Sequence, residues 1–387
     1  MEQYCKITIN ANCLLQTEVL VQPLGKGQEV VLNRPKALNA LNLNMVHLLR
    51  PHYTHWEKDP HTAFVLMKGA GGKAFCAGGD IRAIYDEGIA ARQAGKNAGG
   101  DPASLGYRFF HDEYVLDYQI ATHPKPQVAF LNGITMGGGV GLSMHNKYKV
   151  ATEHTVFAMP ETAIGFFCDV GGSHFLPRLS PGFEVGMYLA LTGARLKGYD
   201  LVRAGVATHY VPSSKTQVLE EKLKNAENED HVRHTLAELN EHDTANDANS
   251  ELIKHADAIH KCFGKASVED IIVALEREGS EWATHTRNAL SKLSPTALKV
   301  VFRQLHHGKQ LPLNKCFEME FRMAQRFMAG HDFFEGVRSV LVDKDRNPQW
   351  KPARLEQIAD SEVDSYFEPL ADPSLELHLH PIEHHLQ

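Results

Sequence analysis

The sequence predicts an α/β fold, because a strand, a glycine-rich turn and a helix follow one another twice along the chain. Residues 63–67 and 127–132 are short apolar runs, and the turns GAGGKAFCAGGDI (69–81) and NGITMGGGVGLS (132–143) come after them. Continuous apolar runs of this length are typical of strands in a buried parallel sheet. In such folds the ligand-binding groups lie at the carboxyl ends of the strands, which is where the glycine turns occur.

The chain enters this fold through a predicted β-hairpin. EVLVQPL (18–24) and EVVLN (29–33) are rich in strand-forming residues, and Gly25-Lys26-Gly27 between them is a turn signal. A helix is predicted over 42–56, where apolar residues recur at helical spacing, and Asp59-Pro60 ends it. The apolar positions of this helix are Leu43, Val46, Leu49, Tyr53 and Trp56.

The segment between the two glycine turns is predicted to be a loop and then a helix. Residues 88–103 are small and polar, which indicates a mobile loop at the mouth of a site. Residues 107–120 return to helical spacing, and Glu113 on this helix could face either water or a pocket.

The second half of the chain is predicted to be helical from Gly171-Gly172 to its end. Residues 295–305 and 317–328 are amphipathic, and the charged residues 220–260 predict solvated helices with a loop near 246–249. The predicted divisions are a flexible N-terminal extension (1–17), a core with the ligand site (18–210), a helical region packed on the core (211–352) and a C-terminal tail (353–387).

Composition argues against several classes of protein. The net charge is −7 and no long basic cluster occurs, so nucleic-acid binding is not expected. The six cysteines include no Cys-x-x-Cys pair, which indicates neither a zinc site nor a disulfide framework, and we expect no metal. No apolar stretch is long enough for a membrane span. Four histidines crowd the C-terminus, where we expect a structureless tail: His378, His380, His384 and His385.

Residues 131–172 are predicted to contain the functional site. The triple glycine 137–139 allows bare backbone to approach a ligand, and a helix starting there would present unpaired N–H groups. Such groups stabilise an anion, either a bound phosphate or a transition-state oxyanion. The turns lack the P-loop and dinucleotide patterns, which excludes ATP and NAD sites. Glu161 and Asp169 lie among apolar neighbours, where a carboxylate is either ion-paired or catalytic.

Four segments over residues 29–205 resemble the crotonase, or enoyl-CoA hydratase/isomerase, superfamily in order and spacing. They are NRPKALNALN, GAGGKAFCAGGDI, NGITMGGGVGLS and FAMPETAIG. Within the superfamily, MPETAIGFFCDVGGSHFLPRL and LTGARLKGYDLVRAGVATHYV resemble the branch that hydrolyses acyl-CoA thioesters. The resemblance extends toward the C-terminus through SPTALKVVFRQL and GHDFFEGVRSVLVDKDRNPQWKP.

The resemblance implies a crotonase-like fold of stacked ββα turns with a helical C-terminal region. It implies a small-molecule acyl-CoA substrate and no separate cofactor, because coenzyme A is part of the substrate. The implied reaction is hydrolysis of 3-hydroxyisobutyryl-CoA in valine catabolism, with 3-hydroxypropionyl-CoA as a second candidate substrate. The pathway implies a mitochondrial location, although the N-terminal residues make a poor transit peptide. No stretch of the sequence indicates an oligomeric state.

The resemblance also implies roles for individual residues. Carried over by position, the backbone N–H groups of Gly79 and Gly138 bind the thioester oxygen. Glu161 activates water or attacks the carbonyl directly to form an anhydride, and Asp169 orients the substrate hydroxyl or handles protons. The sequence leaves these two routes open. Substrate binding is assigned to Glu113, together with Gly138, Glu161 and Asp169.

Position 141 departs from the hydratase pattern of the superfamily. Hydratases place a glutamate there, and this chain has Gly141, so addition of water to a double bond is not the favoured reaction. An enoyl-CoA hydratase or isomerase remains the alternative enzyme. A non-catalytic scaffold is a further alternative, but Glu161 and Asp169 would be costly to bury without a use. Cys168 is a weak candidate nucleophile, because the adjacent aspartate should raise its pKa.

Overall fold

The computed structural model describes residues 17–96, 98–243 and 250–381. The predicted hairpin is confirmed, since β1 (Val19–Leu24) and β2 (Gly27–Leu32) pair antiparallel. The predicted N-terminal extension lies almost entirely outside the described residues, and so does the predicted loop near 246–249.

The first helix, α1 (Leu43–Lys58), confirms the helix predicted from apolar spacing. The side chain of Asn42 accepts a hydrogen bond from the Met45 N–H and so caps the first turn. Val46 and Leu49 are fully buried on its inner face, as the spacing predicts. Packing therefore follows directly from the sequence pattern in this part of the chain.

Three successive units of two strands and a helix form the core, which confirms the predicted stacked ββα turns. The first unit is β3 (Val65–Gly69), β4 (Ala74–Cys76) and α2 (Ile81–Gln93); α3 (Leu105–Ala121) follows; the second is β5 (Gln127–Phe130), β6 (Ile134–Met136) and α4 (Gly138–Met144); the third is β7 (Tyr148–Ala151), β8 (Val156–Ala158) and a 3₁₀ helix (Glu161–Ile164).

The two strands of each unit belong to two different sheets. The six-stranded sheet has the order β1-β2-β3-β5-β7-β10 and the four-stranded sheet β4-β6-β8-β9, where β9 is Leu196–Lys197 and β10 is His209–Tyr210. The pairs β4–β6 and β6–β8 are parallel. The carboxyl ends of β4, β6 and β8 therefore lie side by side, which brings the segments after Cys76, Met136 and Ala158 to one edge.

Side chains along the strands of the six-stranded sheet point alternately to its two faces, and each face has its own apolar core. In β3, Val65 and Met67 belong to the main core, whereas Leu66 belongs to a second cluster with Val128 and Leu219. Side chains alternate between the faces of a sheet, so the second cluster lies on the opposite face. Helices of the second half cover that face, which explains why these strands are apolar on both sides.

The second half of the described chain is mostly helical, as predicted. Its helices are α5 (Gly172–Phe175), α6 (Phe183–Thr192), α7 (Asp200–Arg203), α8 (Thr216–Lys224), α9 (Glu229–Leu239), α10 (Glu251–Lys254), α11 (Ala256–Phe263), α12 (Val268–Glu278), α13 (Glu281–Leu290), α14 (Pro295–Gly308), α15 (Leu313–Ala329), α16 (Asp332–Val337) and α17 (Asp360–Ser365). The prediction is wrong at β9 and β10, which interrupt the helical region by pairing with β8 and β7. Among the described residues, no helix is both long enough and apolar enough to cross a bilayer.

Two predicted irregular segments are partly wrong. Residues 88–93 were expected in a mobile loop, but they continue α2, where Gly88 packs under the ring of Phe334. The prediction of a structureless C-terminal tail is also wrong for the residues up to 381, which make specific contacts with the rest of the chain. The Leu379 N–H donates to Glu318 at 3.1 Å, and the Tyr118 hydroxyl donates to the His380 carbonyl oxygen. His384 and His385 lie outside the described residues.

Candidate active site

A cavity of about 510 Å³ lies where β4, β6 and β8 end. Its walls are mainly apolar and include Phe109, Phe110 and Phe166. All the site residues named from the sequence line this one cavity: Gly79, Glu113, Gly138, Glu161 and Asp169. The structure therefore brings together side chains and backbone groups that are as much as 90 positions apart in the sequence.

The two glycine turns are in contact at the inner end of the cavity. A side-chain carbon on Gly138 would lie 3.2 Å from the Gly79 nitrogen and only 2.6 Å from Glu113 Oε1, so the approach requires glycine. Gly137 has a φ of 44°, in the region that favours glycine. In the described part of the chain, neither the Gly79 N–H nor the Gly138 N–H donates to a protein acceptor. Two neighbouring N–H groups are thus free to bind one oxygen atom.

Glu161 begins the 3₁₀ helix that follows β8, and its carboxyl lies beside the second glycine turn. A side-chain carbon on Gly137 would be 3.2 Å from Glu161 Oε1. The residue is 6% exposed, and Oε2 has no hydrogen-bond partner among the described residues. Burial raises the pKa of Glu161 well above its usual range, and the Asp169 carboxyl adds to the increase. Burial therefore favours the neutral acid form of Glu161 in the free protein.

Asp169 is the second buried carboxyl of the predicted pair, and it is 5% exposed. The Tyr114 hydroxyl donates a hydrogen bond to Asp169 Oδ2 at 2.9 Å. Burial raises the pKa of Asp169 to about 7, while the hydrogen bond from Tyr114 lowers it. Its increase is small enough for the ionised form to be well populated at neutral pH, which suits a base or an acceptor of a substrate hydroxyl.

Glu113 faces the cavity and not water, which decides the question that the sequence left open. It lies on α3, is 1% exposed, and its Oε1 has no hydrogen-bond partner among the described residues. Burial raises the pKa of Glu113 well above its usual range, with smaller contributions from the Asp117, Asp169 and Glu161 carboxyls. A neutral carboxyl at this position can donate a hydrogen bond to a ligand.

Asp117 is a further buried carboxyl, and sequence reasoning missed it. It lies one helical turn after Glu113, is fully buried, and neither of its oxygens has a hydrogen-bond partner among the described residues. A side-chain carbon on Gly141 would lie 2.4 Å from Asp117 Oδ2 and 2.8 Å from the Val170 Cβ. Asp117 therefore occupies the space that a side chain at position 141 would need. A polar residue four positions from Glu113, on one face of a helix, was the signal available in the sequence.

Two other residues that support the site were also missed. The hydroxyl of Tyr114, which the sequence analysis did not single out, donates a hydrogen bond to Asp169. Glu320, on α15, is fully buried and accepts hydrogen bonds from the Gly171 N–H at 2.7 Å and the Ser173 N–H at 2.9 Å. These bonds fix the backbone that follows Asp169. Nothing local in the sequence relates position 320 to position 171.

Cys168 lies beside Glu161 but is not suited to nucleophilic attack. The residue is fully buried, and its thiol donates to the Ala190 carbonyl oxygen at 3.5 Å. Burial raises the pKa of the thiol well above its usual range, and the Glu161 and Asp169 carboxyls raise it further, as expected from the sequence. Within the described ranges, no group of three or more metal-ligating side chains is placed to hold an ion.

Comparisons with known proteins agree with this geometry. A model of the enoyl-CoA hydratase/isomerase family matches residues 28–367. The chain is 50% identical over 358 residues to "3-hydroxyisobutyryl-CoA hydrolase, mitochondrial" of Dictyostelium discoideum, covering 92% of each chain. It is 49% identical over 363 residues to the protein of that name from Xenopus tropicalis, covering 93% of this chain and 91% of that one.

Solved structures show the same overall arrangement. A carnitinyl-CoA dehydratase from Mycobacterium thermoresistibile is 35% identical, with a TM-score of 0.83, and the match covers 95% of this chain and 99% of that one. The likeness extends over nearly all of both chains, so it includes the helical second half. The roles assigned to Gly79, Glu113, Gly138, Glu161 and Asp169 stay predictions.

Proposed function

The chain belongs to the enoyl-CoA hydratase/isomerase family, and we propose that it hydrolyses the thioester of 3-hydroxyisobutyryl-CoA to 3-hydroxyisobutyrate and free coenzyme A, a step of valine catabolism. The names of the relatives from Dictyostelium discoideum and Xenopus tropicalis support this substrate. The supporting names also include "mitochondrial", so we propose a mitochondrial location, which imaging of the full-length protein would test.

The observation that carries the proposal is the set of carboxyls at the inner end of the cavity. Gly141 offers no acid, and Asp117 fills the adjacent space, so a glutamate cannot be placed at this point without displacing Asp117. Glu161 and Asp169 remain as the proposed catalytic pair, and Glu113 lines the cavity with them. One carboxyl and a nearby proton carrier are sufficient for hydrolysis, whereas the hydratase pattern needs a second glutamate from α4.

Gly79 and Gly138 supply the electrostatic part of the mechanism. Attack on the thioester carbonyl moves negative charge onto its oxygen, and two preorganised N–H groups stabilise that charge in the transition state more than in the ground state. The inner cavity is lined by phenylalanine rings, and apolar surroundings strengthen such hydrogen bonds. The position of the thioester is thereby set beside Glu161.

Glu161 and Asp169 perform the proton and nucleophile chemistry in this proposal. Glu161 must lose its proton before it activates a water molecule or attacks the carbonyl itself, and the departing thiolate takes up a proton to leave as coenzyme A. Asp169 ionises more readily and orients the substrate hydroxyl or accepts the proton. No cofactor takes part, because coenzyme A enters as part of the substrate.

The pH dependence of kcat/KM is expected to show an acid limb near neutrality. The pKa of Asp169 is raised to about 7, so the ionised carboxyl is lost as the pH falls through that value, and activity should rise with pH across it. The apparent pKa of this acid limb is a property of the interacting carboxyls together and not of one residue. Initial rates between roughly pH 5 and 9 would measure it, and a plateau reaching down to about pH 5, as for ordinary carboxyls, would contradict the prediction.

Release of free thiol from candidate thioesters tests the reaction itself. We expect release from 3-hydroxyisobutyryl-CoA and, as a second substrate, from 3-hydroxypropionyl-CoA. The alternative is an enoyl-CoA hydratase or isomerase. Loss of enoyl absorbance without thiol release would favour that alternative. Failure to bind any acyl-CoA in calorimetry would instead indicate a scaffold without catalytic activity.

A further inference from the structure

The rim of the cavity contains two apolar side chains that are accessible to water. Val340 is 38% exposed and Leu341 is 37% exposed, and both line the cavity. The other large exposed apolar side chains of the described residues are Val218, Ile253 and Val273, which do not line it. Apolar side chains at the mouth of a cavity are typical of a ligand-binding surface.

These two side chains are presented by a rigid turn. They lie in a short π-helix, Arg338–Val342, that continues α16, and π-helical turns occur frequently at functional sites. The Arg338 guanidinium pairs with three carboxylates around the turn: Glu335 at 2.8 Å, Asp343 at 2.7 Å and Asp345 at 2.7 Å. A turn held in this way loses little conformational freedom when it binds a ligand.

The turn is also held at a fixed position relative to the candidate catalytic carboxyl. α16 packs against the 3₁₀ helix of Glu161 with direct backbone contact. A side-chain carbon on Gly336 would lie 2.3 Å from the Ile164 carbonyl carbon, and one on Gly165 would lie 2.3 Å from the Asp332 carbonyl oxygen. Neither glycine leaves room for a side chain, so the rim and Glu161 form one rigid arrangement.

Exposure increases in order from the carboxyls to the rim. Glu161 and Asp169 are 6% and 5% exposed, whereas Val340 and Leu341 are 38% and 37% exposed, and Arg82, which pairs with Asp86, is also exposed on the rim. A second arginine of the lining, Arg195, is also exposed. A ligand that matches this order has its reacting group inside, an apolar segment in the middle and negative charge at its outer end.

We propose that Val340 and Leu341 bind the pantetheine arm of the acyl-CoA substrate, the uncharged segment between the thioester and the phosphates. This inference rests on the function proposed above and adds two residues that set substrate affinity. The methyl and methylene groups of that arm lie against the two side chains, while the thioester reaches the glycine turns. Val340 and Leu341 act through binding alone, because they do not touch the reacting atoms.

The test compares a double variant, Val340→Ser with Leu341→Ser, against the wild type on two substrates. With 3-hydroxyisobutyryl-CoA we expect KM to rise about tenfold and kcat to stay within about twofold. The apolar contact is the same in the bound substrate and in the transition state, so its loss weakens binding without slowing the chemical step. With the N-acetylcysteamine thioester of the same acid, which lacks most of the arm, we expect KM to change by less than about twofold.

The matched control is the double variant Val218→Ser with Val273→Ser, which removes equally exposed valines away from the cavity. It should retain the wild-type KM, and thermal melting should show all three proteins folded. An unchanged KM for the coenzyme A thioester in the rim variant would overturn the proposal, as would an equal loss on the truncated substrate. If the wild type releases no thiol, the proposed function fails. Binding of free coenzyme A then still tests the inference, because we expect its Kd to rise about tenfold in the rim variant.

Discussion

Replacement of Glu161 by glutamine is expected to lower kcat for thioester hydrolysis by about 10²- to 10⁴-fold, the range typical of a lost general base or nucleophile. The amide has the size and shape of the acid but cannot ionise, so it neither activates water nor attacks the carbonyl. Binding should change by less than about tenfold, because the interaction that is removed acts mainly in the transition state.

The Glu161→Gln protein should fold normally. Burial raises the pKa of Glu161 and so favours its neutral form, and Oε2 has no hydrogen-bond partner among the described residues, so an uncharged amide replaces it at little cost. Glu318→Gln is the control for replacing an equally buried carboxyl outside the cavity, since Glu318 is also 6% exposed, does not line the cavity, and binds Lys315 and the Leu379 N–H. Thiol-release kinetics and substrate calorimetry on both variants provide the measurement. Wild-type kcat in Glu161→Gln would refute the assignment.

Local sequence patterns located the two glycine turns and Glu161 next to strand ends, and the family resemblance then singled out Gly79 and Gly138. Gly79, Gly138 and Glu161 each follow a strand of the four-stranded sheet, and parallel pairing brings strand ends together. Glycine runs and a carboxylate among apolar neighbours are visible without a structure. This explains why the cavity was predicted from separate segments of the chain.

Contacts between distant segments could not be predicted in the same way. Glu320 accepts hydrogen bonds from the backbone of residues 171 and 173, about 150 positions away, and only tertiary packing brings them together. Asp117 escaped notice for a related reason: its place over Gly141 depends on how α3 lies against α4. Its spacing of four residues from Glu113 places it on the same helix face but does not show which element covers that face.

The two shortest strands and the C-terminal segment also depend on contacts that local sequence does not predict. β9 and β10 contain two residues each, so neither propensity nor alternation can predict them, and pairing with β8 and β7 defines them. The segment after residue 353 contains scattered apolar residues and no amphipathic run. Ile358, Val363 and Leu377 are nevertheless buried and belong to the main apolar core. Packing of single side chains therefore orders a segment that composition describes as a tail.

Replacement of Gly138 by alanine is expected to lower kcat/KM by about 10²- to 10³-fold, the loss typical when an oxyanion donor is displaced. The added carbon would lie 2.6 Å from Glu113 Oε1, so the Glu113 side chain must shift, and 3.2 Å from the Gly79 nitrogen, so the two glycine turns must separate by a few tenths of an ångström. Both donors shift in that case, because they belong to the two turns that the contact joins. Movement of a donor by even a small fraction of a hydrogen-bond length weakens its interaction with the developing charge.

Gly106→Ala is the control that separates this effect from a general cost of filling a glycine. Gly106 lies in α3, and a side-chain carbon there would be no closer than 3.4 Å to its neighbours, an ordinary contact. We expect this variant to keep its activity and to gain up to about 1 kcal/mol of stability, because alanine favours a helix more than glycine does. Steady-state kinetics and thermal melting of both variants distinguish the outcomes. Full activity in folded Gly138→Ala would mean that the two N–H groups do not bind the thioester oxygen, and hydrolysis would then depend on the carboxyls alone.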